Sequence, residues 1–170
     1  MLGDSITAEF PTDRLLKGYD IINKGIHGDK TDSVLDRLDS DVIALKPSAV
    51  FILIGINDFT SSLSNDRILV NVERIILRLM KGIPGVALFI QSLTPTRSLR
   101  NIPVDRIQIF NIELHKLALR YGARYVDIYP LFLDEAGVLS EEYSDDGLHL
   151  KEGGYRKWAD YLKQVFTTIS

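Results

Sequence analysis

A serine near the start of this chain and an aspartate–histidine pair near its end are the residue types that acyl transfer requires. Ser5 stands in Gly3-Asp4-Ser5-Ile6, a glycine-containing turn able to expose a hydroxyl. A serine hydroxyl is a poor nucleophile near neutral pH unless a base beside it takes the proton. The chain has three histidines, His27, His115 and His149. His115 has Asn111 and Leu119 at helical steps and reads as a helix-surface or packing residue. His149 follows Asp146 at i, i+3, so a local turn can bring the carboxylate to one ring nitrogen and leave the other free. Asp-x-x-His also occurs in ordinary solvated turns, and Asp145 is an adjacent carboxylate able to take the orienting role. The tetrahedral intermediate needs hydrogen-bond donors for its oxyanion. Asn23-Lys24-Gly25-Ile26-His27-Gly28-Asp29 and Gly55-Ile56-Asn57-Asp58 supply glycine N–H groups and an uncharged amide. Taken singly, Gly28 and Asn57 read as turn residues.

Two other readings of the same residues stand beside this one. Asp4, Asp29, Asp58, Asp145, Asp146 and His149 are an oxygen-rich set suited to a metal-dependent hydrolase. That reading lacks an H-E-x-x-H pair and leaves Ser5 and Asn57 without a role. The other is a non-catalytic module that binds a carbohydrate or an ester. The G-x-S-x-G elbow of the α/β-hydrolases is absent around every serine. Without cysteine, thiolate catalysis and cysteine-ligated metal are excluded, while the redox compartment stays open. The expectation is a site with no metal and no cofactor.

The elements that must position these residues follow an α/β pattern, with short β-rich runs alternating with longer stretches of helical period. Strands are expected at Asp20–Asn23, Ala49–Ile54, Val86–Ser92 and Arg124–Ile128, besides a stub before Gly3. The Ala49–Ile54 run is apolar throughout, as a strand covered on both faces should be. Ile68, Val72, Ile75, Ile76 and Leu79 recur at steps of three and four and predict a helix over Asp66–Lys81. Further helices are expected near Thr31, over Val104–Tyr121, and at the end of the chain, where Trp158, Leu162, Val165 and Ile169 share a face. Each chemical block then follows a strand, where loops at carboxyl ends form sites in open parallel sheets. Thr94–Pro103 and Tyr129–Asp145 are candidate substrate loops.

Composition narrows the partners. The 170 residues, 45% of them hydrophobic, suffice for one well-buried domain over 1–170. A net charge of -3 gives no basic footprint for nucleic acid. No apolar run reaches the roughly 18 residues of a membrane span. Only Met1 and Leu2 precede Gly3, fewer than a strand of about 5 residues needs, so the first strand is expected to be truncated. The cytoplasm is the expected compartment, with secretion left open.

In order and spacing, the four blocks ending in Asp146-Gly147-Leu148-His149 resemble the SGNH hydrolases, also called GDSL-type esterases and lipases, over nearly the whole chain. The resemblance implies a three-layer α/β/α flavodoxin-like domain with a mainly parallel five-stranded sheet in the order 2-1-3-4-5. It implies Ser5 as nucleophile, His149 as base and Asp146 as its orienting carboxylate. The oxyanion donors it implies are the N–H groups of Ser5 and Gly28 and the amide of Asn57. It also implies a small-molecule ester as substrate, without choosing among lipids, acetylated sugars, thioesters and aryl esters. His27, beside Gly28, and Arg97 and Arg100, in the loop after the fourth strand, are further candidates for substrate contact, with a passive loop histidine and solvated loop arginines as the competing readings. The loops carry no long apolar insertion, so short acyl groups are expected.

Overall fold

In the computed structural model, which describes residues 1–61, 63–97 and 102–168, five parallel strands form one sheet in the order β2-β1-β3-β4-β5. They are β1 (Leu2–Gly3), β2 (Lys24–Gly25), β3 (Ala49–Leu53), β4 (Ala87–Gln91) and β5 (Arg124–Val126). The helices are α1 (Ser5–Ala8), α2 (Thr12–Leu15), α3 (Thr31–Asp41), α4 (Ile56–Phe59), α5 (Asn65–Gly82), α6 (Val104–Arg120) and α7 (Glu152–Thr167). Crossovers between parallel strands are right-handed. The strand order therefore sends α3, α5 and α6 to one face and returns α2 and α7 to the other. The packing agrees: α3 lies against α5, α5 against α6, and α2 against α7. This is the expected flavodoxin-like α/β/α arrangement.

β3 is the central strand, and Val50, Phe51, Ile52 and Leu53 are all buried under helices from both sides. The periodic residues of α5 are likewise buried, with Ser64 capping the helix through a bond from Arg67 N–H. Trp158 of α7 is fully enclosed, stacked on Phe10 at 4.5 Å, and its indole N–H donates to Gln91 Oε1 at 2.9 Å. Ile169 lies outside the described residues.

β2 differs from the expectation. The Asp20–Asn23 run is not a strand; β2 is Lys24–Gly25, paired with Leu2 and Gly3. Asn23 is occupied otherwise. Its amide donates to the carbonyls of Thr7 and Phe10, and its own carbonyl accepts from Gly25 N–H. A groove of about 600 Å³, lined in part by Met1, Tyr19, Ile22, Leu45 and Phe51, opens at the amino ends of β1 and β3. The proposed chemical blocks all lie at the opposite edge.

Candidate active site

α1 is only four residues long, and its geometry is set from outside. Asp4 is its N-cap, with Oδ1 accepting from Ile6 N–H at 3.0 Å, which places Ser5 at the first helical position just past β1. At the far end, orphan carbonyls of so short a helix need partners. Asn23 bonds Thr7 O, and Phe10 O just past the helix, while the Tyr155 hydroxyl donates to Ile6 O at 3.0 Å. Tyr155 belongs to α7, whose start follows His149 closely. One side chain thus ties the turn carrying Ser5 to the segment carrying His149.

Ser5 Oγ and His149 Nε2 are 3.0 Å apart, and His149 Nδ1 is 2.6 Å from Asp146 Oδ2. These three side chains make one continuous hydrogen-bonded chain between residues 144 positions apart in sequence. Asp146 is held in turn: Oδ1 accepts from Leu148 N–H at 2.9 Å, His149 N–H at 2.8 Å and the Ser144 hydroxyl at 3.2 Å. Burial by itself raises the Asp146 pKa. The bonds from the His149 ring and from the Leu148 and His149 N–H groups together outweigh it and hold the carboxyl far below the usual carboxylate range. Asp145, the other carboxylate considered for orienting His149, pairs with Lys151 Nζ at 2.9 Å.

The His149 loop is pinned from the side by Arg97. Its guanidinium donates to the carbonyls of Leu139 at 2.9 Å and Ser144 at 3.1 Å, and its backbone N–H donates to Gly147 O at 2.9 Å. Arg97, a candidate for substrate contact, turns these donors onto the protein backbone. Gly147 has φ +81°, and a Cβ there would lie 2.2 Å from Arg97 O, so both conformation and space demand glycine. Arg100 lies outside the described residues. His27 is exposed, its side chain retaining 67% of its accessible area, with Nδ1 3.7 Å from Glu9 Oε1.

Gly28, with φ +78°, lies in the turn after β2, and Asn57 lies in the first turn of α4 after β3. Asn57 Nδ2 donates to Asp29 O at 3.0 Å, which orients the amide and leaves its second N–H available. Below it, Asp58 is fully buried and accepts from Thr31 N–H at 3.0 Å and the Thr31 hydroxyl at 2.6 Å. Burial raises the pKa of Asp58, against those two bonds. Asp29 is paired with Arg37 Nε at 2.7 Å.

Arg37 went unnoticed in the sequence. Besides Asp29 and Asp41, it bonds the carbonyls of Lys24 at 2.8 Å and Gly3 at 3.3 Å, closing the carboxyl ends of β1 and β2. Its i, i+4 pairing with Asp41 is local, but the two backbone carbonyls that it bonds lie on other elements. The carboxylates considered as metal ligands are each committed to a protein partner. Among the described residues, no group of three His, Cys, Asp or Glu side chains is placed to hold a metal ion. No described helix is long and apolar enough to cross a membrane.

Residues 1–157 match the model of the GDSL-like lipase/acylhydrolase family. Among solved structures, a Streptococcus pneumonia protein named for platelet activating factor is similar at 30% identity and a TM-score of 0.90, over 96% of this chain and 81% of that one. A GDSL-like lipase from Bacteroides thetaiotaomicron is similar at 23% identity and a TM-score of 0.88, over 99% and 87% of the two chains. An acetylxylan esterase from Geobacillus stearothermophilus is similar at 20% identity and a TM-score of 0.78, over 96% and 90%. The last two likenesses speak to the fold. No curated protein matches the chain by sequence.

Proposed function

Because this chain belongs to the GDSL-like lipase/acylhydrolase family, we propose that it is a serine-dependent hydrolase of small or short-chain esters. The observation that carries the reading is the unbroken chain from Ser5 Oγ to His149 at 3.0 Å and from His149 to Asp146 at 2.6 Å. Ser5 attacks the acyl carbon while His149 Nε2 takes its proton; Asp146 holds the ring and balances the imidazolium. His149 then protonates the leaving alcohol, and water repeats the sequence to release the acid. The oxyanion is held by the N–H groups of Ser5 and Gly28 and by the Asn57 amide, whose orientation the Asp29 carbonyl supports.

The preference for short acyl groups rests on where the apolar loop residues go. Phe132 and Leu139 are fully buried, and Leu131 and Leu133 pack against the core, so these residues do not form the wall of an open groove. Each acyl methylene gains about 0.8 kcal/mol only where a groove encloses it. We expect kcat/KM for p-nitrophenyl esters to peak at acetyl or butyryl; an optimum near ten carbons or more would replace this reading with a lipase-like groove. The decisive experiment is labelling with a fluorophosphonate together with Ser5→Ala. We expect labelling at Ser5, no turnover by a folded Ser5→Ala variant, and no effect of EDTA. Full activity of the variant removes the serine mechanism, and EDTA inhibition reversed by a divalent ion favours the metal-dependent alternative. An intact fold that neither labels nor hydrolyses any ester points to the binding-module alternative.

A further inference from the structure

Asp4 has chemistry that the ester-hydrolase reading leaves unused. It adjoins Ser5 and is fully buried, and its Oδ1 caps α1 through Ile6 N–H at 3.0 Å. Its Oδ2 is buried without a hydrogen-bond partner among the described residues. A neutral side chain with one acceptor would cap the helix equally well, and an anion with an unpartnered oxygen is costly in such a place. A carboxyl therefore needs a reason beyond capping.

The groups acting on Asp4 suggest one. His149 favours its charged form, while Asp29 and Asp58 oppose it. Asp29 is itself offset by Arg37 at 2.7 Å. Tyr155, bonded to Ile6 O, faces the same region, and burial raises its hydroxyl pKa with help from Glu9, Asp4 and Asp146, so it is neutral there. Ser5 follows Asp4 directly and its Oγ is 3.0 Å from His149 Nε2, so the imidazolium that forms when Ser5 gives up its proton is a cation able to favour the charged form of Asp4. A fixed charge aimed at charge that develops in the transition state lowers the barrier.

We propose that Asp4 is a positioning residue for the Ser5–His149 pair and that its carboxyl must be ionised for full turnover. The proposal rests on the ester-hydrolase reading. It gives the site a second proton to lose, besides the one on His149, before it reaches full activity. Burial, first, pushes Asp4 from its ordinary 3.8 up to about 7, against the bond from Ile6 and the attraction of His149. The folded chain then holds this proton more tightly than the unfolded one. The associated stability is fully present below about pH 4 and lost as pH rises through about 7.

The test compares wild type with Asp4→Asn, which keeps the cap acceptor and removes the ionisation. Attraction between opposite charges in a partly dry site supports a loss of about tenfold in kcat/KM at pH 8.5, with KM little changed. The ratio of wild type to variant should shrink towards one below pH 6, where Asp4 of the wild type is protonated. Asp4→Ser, which also caps, should give the same pH-dependent ratio and serves if the asparagine variant folds poorly. Urea unfolding supplies a readout independent of turnover: wild-type stability should fall between pH 4 and 7 relative to both variants. A ratio that is constant with pH, or equal to one throughout, overturns the proposal, as does an identical pH dependence of stability. Loss of fluorophosphonate labelling in the wild type would instead count against the ester-hydrolase reading.

Discussion

At the carboxyl edge of the sheet, polar side chains are bonded to backbone carbonyls and amides of other elements, as Arg37, Arg97, Asn23, Asn57 and Tyr155 all show. At the amino edge, the groove of about 600 Å³ presents Tyr19, Ile22 and Leu45, each between 42% and 52% exposed. By hollowness and apolar lining alone, the amino edge looks like the better ligand site. Yet the proposed nucleophile, base, orienting carboxylate and oxyanion donors all come from segments that follow strands at the other edge. In an open parallel sheet these loops meet because every strand points the same way, and the resulting site is defined by directed donors rather than by volume. On the proposed reading, the chemistry follows the rigid polar scaffolding rather than the larger concavity.

Three substitutions, taken from the largest expected effect to the smallest, press on that contrast, with Asp145→Asn as the control for the first. Asp146→Asn would leave the ring of His149 without its anionic partner and should lower kcat/KM by on the order of 10³–10⁴. Asp145→Asn, whose carboxylate pairs with Lys151 instead, should change it by less than about threefold. The opposite ranking in steady-state ester assays would hand the orienting role to Asp145. Asn57→Ala should cost about 10²–10³ in kcat with a smaller change in KM, as expected for a donor used in the transition state. A loss of tenfold or less would reduce Asn57 to a brace for the Asp29 turn. At the amino edge, Leu45→Ser should alter kcat/KM by no more than about twofold and stability by no more than about 0.5 kcal/mol, since Leu45 is 47% exposed. A loss there that rivals Asn57→Ala would mean that the groove communicates with the site, and the contrast between the two edges would fail.

Much of this molecule was legible in its residues. The unbroken apolar run of β3, the three-and-four spacing on α5 and the Asp-x-x-His spacing are local, so a few neighbouring side chains specify them. The Asp146–His149 contact is of this kind: the turn itself bonds both backbone N–H groups to the carboxylate that meets the ring. The strand order was expected from the resemblance, while the alternation of elements gave only the parallel α/β class. Other features were beyond local reading. Asp20–Asn23 has strand-like composition, but pairing is a property of two segments, and the register put Lys24 and Gly25 opposite Leu2 and Gly3. Gly25 lies in β2, where a Cβ would come within 2.2 Å of Ala8 N, a close approach that no local pattern announces.

Arg97 and Arg37 show the same limit. Their charge is visible in the sequence, but their acceptors lie on segments that only the fold brings near, 42 to 47 residues away for Arg97 and on two different strands for Arg37. The sequence by itself determined the chemical inventory and the helical and extended stretches, because these depend on residue type and on neighbours within a few positions. Tertiary structure decided that Ser5 stands 3.0 Å from His149, that Arg97 braces the loop, and that Asp4 is sealed beside Ser5. Those outcomes depend on parallel strands sharing one edge and on burial by distant helices, which no local spacing encodes.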